Sequence, residues 1–95
     1  MSRIDWTVPA LEDLRAIDRW LHKNATPDVA VSIITRIRAR ARFLEDFPHG
    51  GRPHRDGLRI LRVIGTSYLI RYRIVADAVQ VLRVHHERED WFVEP

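Results

Sequence analysis

Polar and apolar positions follow two rhythms along this chain, first of period two, then of period 3.6, then of period two again. Arg3-Ile4-Asp5-Trp6-Thr7 alternates polar and apolar and runs into Pro9, the pattern of a short strand followed by a helix start. Thr7 is placed to cap that helix. From Pro9 onward Leu11, Leu14, Ile17 and Leu21 recur every three or four positions, so one side of a helix ending near Asn24 faces a core. Asp18 falls at the margin of that side, where a carboxylate is ordinarily satisfied at the edge. Thr26-Pro27-Asp28 then supplies a capping hydroxyl, a proline at the first helical position and an acid in the first turn. Ala30, Ile33, Ile34, Ile37, Ala41 and Leu44 form the apolar stripe of this second helix, which is expected to run to Pro48, about 20 residues or roughly 30 Å. Arg36 and Arg40 flank the stripe on one side and Arg38 and Arg42 on the other, each pair one turn apart. The two helices form an antiparallel hairpin.

Pro48 to Gly57 holds three of the four glycines and two of the five prolines and reads as a basic loop. Three period-two runs follow, Leu58 to Ile64, Tyr68 to Val75 and Val79 to His86. The linkers Gly65-Thr66-Ser67 and Ala76-Asp77-Ala78 are so short that the runs must pair as an antiparallel meander. Arg71 and Arg73 alternate with Ile70, Tyr72 and Ile74, giving one apolar face for the helical hairpin to cover and one basic face. The expected fold class is α+β: an N-terminal strand and a two-helix antiparallel hairpin packed on an antiparallel β-sheet meander. At 95 residues the length suits one domain over 1–95.

The charge distribution sharpens this picture. The net charge is only +3, but residues 1–30 carry −1, residues 31–76 carry +7 and residues 77–95 carry −3. Fifteen of the sixteen cations are arginine, whose planar fork reads phosphates and carboxylates, so the middle of the chain is expected to meet something anionic. The absence of cysteine excludes disulfides, zinc–thiolate sites and thiol nucleophiles. No apolar run approaches the roughly 20 residues of a membrane span, and MSRIDW has no apolar signal core, so the expected compartment is the cytoplasm, with no membrane partner.

Two places could carry chemistry. The first is a surface formed by the loop and the open sheet face, with Arg52, Arg55, Arg59, Arg62, Arg71, Arg73 and Arg83, suited to phosphates or an acidic peptide. The second is the end of the last strand, His85-His86-Glu87-Arg88-Glu89-Asp90-Trp91. An imidazole there could act as general acid or base, but neighbouring strand residues point to opposite faces, so at most one of the two histidines serves a given site. Adjacent histidines on a strand make a poor chelate and no second ligand cluster accompanies them, so no metal is expected. His49 and His54 lie in the loop without neighbouring carboxylates. Gly50-Gly51 and Gly57 do not precede a helix carrying Lys-Ser or Lys-Thr, and no serine sits in a nucleophile elbow, which argues against nucleotide binding and acyl transfer and leaves no cofactor expected.

These segments, taken in order, resemble the RelE/ParE toxin superfamily of type II toxin–antitoxin systems over residues 4–91. The resemblance lies in Ala10-Leu11-Glu12-Asp13-Leu14 with Ile17, in Leu44 and Pro48 ahead of Gly51-Arg52, in Leu58-Arg59-Ile60-Leu61, in Tyr68-Leu69-Ile70-Arg71-Tyr72-Arg73 and in Val81-Leu82-Arg83-Val84-His85-His86-Glu87-Arg88. The resemblance implies a toxin neutralised by a cognate antitoxin, assembled as a homodimer or as a heterotetramer with that antitoxin. Within the superfamily, RelE-like members resemble ribosome-dependent ribonucleases acting on mRNA, and ParE-like members poison DNA gyrase. The ending His86-Glu87-Arg88-Glu89-Asp90 is more similar to the ParE-like ending. A RelE-type tyrosine after the last strand is absent, and Trp91 and Phe92 in its neighbourhood cannot exchange a proton with an RNA hydroxyl. The implied ribonuclease set would be Arg62, Arg83 and His85 or His86. The residues expected to meet the antitoxin or the target are Arg36, Arg40, Arg52, Arg55, Arg59, Arg71, Arg73 and Arg88.

Overall fold

The computed structural model describes residues 1–88; Glu89, Asp90, Trp91 and Phe92 lie outside the described residues. The elements run β1 (Arg3–Trp6), α1 (Val8–Asn24), α2 (Pro27–Phe43), β2 (Arg52–Pro53), a 3₁₀ turn (Arg55–Gly57), β3 (Arg59–Arg62), β4 (Tyr68–Val75) and β5 (Ala78–His86). Both helices start where the capping residues place them. The Thr7 hydroxyl accepts from Ala10 N–H and the Thr26 hydroxyl from Val29 N–H, each in extended backbone ahead of a proline in the first turn.

Helix α2 stops at Phe43, short of the expected Pro48. Leu44 and Glu45 N–H bond back to Ala41 and Arg42 carbonyls, which tightens the last turn and keeps Leu44 in the core while the chain leaves the helix axis. Phe43 and Phe47 stack at 4.9 Å across this exit.

The described strands form one sheet in the order β1-β5-β4-β3-β2. β3, β4 and β5 are the expected antiparallel meander. Two features go beyond it. β1 lies parallel to β5, Ile4 opposite Val79 and Trp6 opposite Val81, which makes the sheet mixed. The segment read as loop contributes β2, with Arg52 opposite Ile60 and Pro53 opposite Arg59. A proline is tolerated there because β2 is an edge strand and needs no outward donor. The β4–β5 hairpin turns on Ala76 and Asp77, with Ala76 at φ 54° and Ala78 already paired to Val75.

The core lies between the helical hairpin and one sheet face. Ala10 and Leu14 of α1 and Ile37, Ala41 and Leu44 of α2 meet Leu61, Ile70, Tyr72, Val79, Val81 and Val84. Tyr72, fully buried, also ties down the loop: its hydroxyl donates to the Pro48 carbonyl at 2.8 Å and accepts from Gly51 N–H at 2.8 Å. Gly51 is required at that position, since a β-carbon would lie 2.7 Å from the Tyr72 ring and hydroxyl.

Burial pushes the Tyr72 phenol above its ordinary value, the Gly51 hydrogen bond opposing the shift. A group whose folded pKa is raised stabilises the fold below its unfolded value, about 10 for a phenol, and that stability is lost as pH rises through the folded value. Tyr72→Phe leaves the Gly51 N–H and Pro48 C=O without their partner and is expected to cost about 1–3 kcal/mol in urea unfolding at neutral pH. The variant's stability should also fall less steeply than the parent's above pH ~10. Equal midpoints and parallel alkaline profiles would refute the latch.

Candidate functional site

Strand register sorts the arginines onto faces. Residues paired across neighbouring strands share a face, so Arg52, Ile60, Arg71 and Arg83 form one row across β2, β3, β4 and β5, and Arg62, Leu69 and His85 form the next. Arg73, two residues from Arg71, lies on this same face, opposite the one that Tyr72 and Ile70 turn to the helices. β2 to β5 contain six arginines and not one Asp or Glu. The face is basic by composition as well as by placement.

Not every arginine expected there is presented there. Arg59 pairs with Tyr72, placing it on the helix side, where its guanidinium donates to the Gly51 carbonyl at 2.7 Å and the His49 carbonyl at 3.3 Å. It holds the loop rather than facing outward. Arg83 is gripped by Asp13 of α1 through two bonds of 2.7 and 2.9 Å, and the same carboxylate accepts Val84 N–H at 2.9 Å. A bulge at this point of β5 leaves Leu82 out of the register with β4. Arg73 Nε donates to Gln80 at 2.7 Å, a neutral partner that leaves the charge in place. Arg62 is exposed and meets Glu87 at 3.8 Å, a loose surface pair. Arg52 is exposed on the edge strand, Arg55 is exposed in the 3₁₀ turn and Arg88 is exposed beyond β5.

The histidines separate as alternation requires. His85 is 1% exposed, across from Leu69 on the arginine side. His86 is paired with Tyr68, whose ring it meets edge-on at 5.4 Å, in a cleft with Ala16, Ile17 and Trp20 of α1. Its Nδ1 accepts Arg88 N–H at 3.2 Å. The pair His85 and Arg62 therefore shares one face and His86 the other. His49 is an exposed loop residue and His54 is half-buried. Asp18, half exposed, meets His22 at 3.3 Å, an edge carboxylate as its position on the helix suggested. No cluster of metal-binding side chains occurs among the described residues.

A second basic surface lies on α2. Arg36 and Arg40 line a groove of about 270 Å³ with Ala39, Phe43, Val63 and Ile64. Arg36 lies over Gly65, whose missing β-carbon makes room for its guanidinium. Arg40 Nε donates to the Arg62 carbonyl at 2.7 Å, and its guanidinium stacks 4.7 Å from the Phe43 ring. Phe47 and Ile64 are strongly exposed beside it. On the other flank of α2 Arg38 sits 5.8 Å from the Trp6 ring and Arg42 lies near Glu45.

Asp13 and Tyr72 are the residues that the sequence did not single out for a role. Asp13 stands in the helix-opening segment as one of two adjacent acids, Glu12 and Asp13, and only the register of β5 reveals what it meets. Asp13→Ala is expected to lower stability by about 1–3 kcal/mol, because it removes a charged acceptor from Arg83 and Val84 together, and Asp13→Asn by less. Urea melts of the two variants measure this; unchanged midpoints in both would show that the pair contributes nothing.

Comparison with known proteins gives a consistent assignment. The family model described as the ParE toxin of type II toxin–antitoxin system parDE matches residues 4–91. Toxin RelE3 from Caulobacter vibrioides is 32% identical over 91 residues, covering 94% of this chain and 98% of that protein. A structure of the chromosomal ParDE system from P. aeruginosa superposes with a TM-score of 0.84 at 25% identity, over 90% of this chain and 96% of that one. The Helicobacter pylori protein HP0894 shares the fold, with a TM-score of 0.55 at 19% identity over 94% and 98% of the two chains. The chain belongs to the ParE toxin family, within the RelE/ParE superfamily of type II toxin–antitoxin systems, and a cognate antitoxin is the partner that membership implies.

Proposed function

We propose that this toxin acts by binding, as a poison of DNA gyrase in the cytoplasm, and that a cognate antitoxin neutralises it. One observation carries the choice over mRNA cleavage on the ribosome: the groups that a ribonuclease would need do not meet on one accessible face. His85 is buried, His86 turns to the helix side, and Arg83 is held by Asp13. General acid–base catalysis needs a proton-transferring group within hydrogen-bond reach of the reacting oxygen, beside the cations that hold the phosphate. The histidine that the strand register puts in the row of Arg62 is His85, which is buried.

The groove of Arg36, Arg40, Phe43 and Ile64 supports the antitoxin part of the reading. It combines an apolar floor with a basic rim, which suits a disordered acidic segment that orders as it binds. Such a partner would also cover Phe47 and Ile64, apolar surface that a domain this small otherwise leaves in water.

The decisive assay is supercoiling of relaxed plasmid by purified gyrase. Increasing toxin is expected to abolish supercoiling or to trap cleaved plasmid, and added antitoxin to restore activity. Full supercoiling at a large molar excess of toxin, together with cleavage of mRNA in translating ribosomes, would reverse the assignment.

A further inference from the structure

The sheet face turned away from the helices is shielded at one end and bare at the other. Along β4 its residues run from Leu69, 6% exposed, through half-buried Arg71 to exposed Arg73 and then to Val75 at 46%. On β5 His85 is 1% exposed, and Arg83 and Gln80 farther back along the strand are half-buried. Ile60 of β3, opposite Arg71, is 3% exposed. The face that the sequence suggested to be open is therefore covered near the point where β5 ends.

Apolar side chains on a sheet face lose that much surface only beneath a second layer. Among the described residues both helices pack against the opposite face, and the segment before β2 is bonded to Tyr72 and Arg59 on the helix side. The 3₁₀ turn belongs to the β2–β3 edge, three strand spacings or about 14 Å from β5. The Arg62 side chain stands largely in solvent.

We propose that the cover is the chain's own next segment, Glu89-Asp90-Trp91-Phe92-Val93-Glu94-Pro95, docked back across this face. In this arrangement Trp91 and Phe92 lie over Leu69, His85 and Ile60, and the three carboxylates sit among the surrounding arginines. The chain is turned at the right place. Beyond His86 the Glu87 N–H donates to the Ser67 carbonyl at 2.7 Å and the Arg88 N–H to His86 Nδ1 at 3.2 Å, so the chain bends at the shielded end of the sheet. The reach suffices: the five residues from His86 to Trp91 span up to roughly 16 Å, and β3 lies about 10 Å from β5. The chemistry is complementary. Three acids, no base and three adjacent apolar side chains meet a face whose strands carry arginine and neither Asp nor Glu.

The cleft on the helix side of His86 is a poorer seat. It remains a cavity of about 360 Å³ with Trp20 59% exposed, and the residues described in its lining include no Arg or Lys to meet the acids. Docked on the sheet instead, the segment is an internal competitor: an anionic partner reaches these arginines only by displacing it.

Nuclear Overhauser contacts in the intact chain test the docking directly. Contacts from the Trp91 or Phe92 ring to the methyls of Leu69 or Ile60 are expected; contacts only to Ala16 and Ile17 in the cleft, none at long range, or contacts seen only between copies in a half-labelled mixture overturn it. Acylation of His85 by diethylpyrocarbonate, located by mass spectrometry, should be about tenfold faster in Trp91→Ala/Phe92→Ala than in the parent, with circular dichroism establishing the fold. A folded variant in which His85 stays equally protected also overturns the docking. Glu89→Gln/Asp90→Asn/Glu94→Gln keeps the apolar contact and should bind a glutamate-rich peptide about tenfold more tightly than the parent. Equal affinity refutes the competitor role.

Discussion

β5 stands between β1 and β4, and its two edges are unequal. Along β4 it pairs from Ala78 to His86 with Leu82 alone bulged out, but β1 accompanies it only from Ala78 to Val81. Beyond that point β5 would present unsatisfied backbone groups at the edge of the core. The chain solves this with residues just C-terminal to β1. The Thr7 hydroxyl donates to the Val81 carbonyl, and Asp13, one and a half turns into α1, accepts Val84 N–H and Arg83. The turn from β1 into α1 therefore sets the position of the helix and the course of β5 at once. Everything else on the sheet takes its register from β5 through β4.

The placement of the basic residues follows from that register. With Ile70, Tyr72, Val79, Val81 and Val84 committed to the core, Arg71 and Arg73 must emerge on the far side. The loop that β2 belongs to is held at three points, by Tyr72 on Pro48 and Gly51, by Arg59 on Gly51, and by the pairing of Arg52 with Ile60. Arg52 is thereby brought to the face that Arg62, Arg71 and Arg73 occupy. The arginines that do structural work, Arg59 and Arg83, are removed from it.

Much of this was legible in the amino-acid sequence, because the signals are local. Thr7 and Thr26 with their prolines mark the helix starts, the stripes Leu11 to Leu21 and Ala30 to Leu44 mark the buried faces, and the short linkers demand a meander. The unread parts depend on pairing between distant residues. Nothing within Arg3–Trp6 says that it lies parallel to Ala78–Val81, and nothing in the glycine-rich loop outweighs Pro53 as an argument against a strand. Arg59-Ile60-Leu61-Arg62 shows the difficulty most clearly. Two adjacent apolar residues flanked by arginines leave the phase of the alternation undetermined, and the phase decides that Arg62 faces outward and Arg59 inward. Asp13 and Tyr72 escaped notice for the same reason, since their partners are some 70 and some 20 residues away.

The central claim is that the toxin binds its target and performs no acid–base chemistry on it. The most direct measurement is the concentration at which His86→Gln inhibits gyrase supercoiling, compared with the parent chain. His86 is the imidazole of this pair that is not buried, so a catalytic mechanism would depend on it and a binding mechanism would not. Half-inhibition within about twofold of the parent is the result that a binding mechanism requires. A loss of about 100-fold or more in a folded variant, the scale of a removed general acid or base, would contradict it.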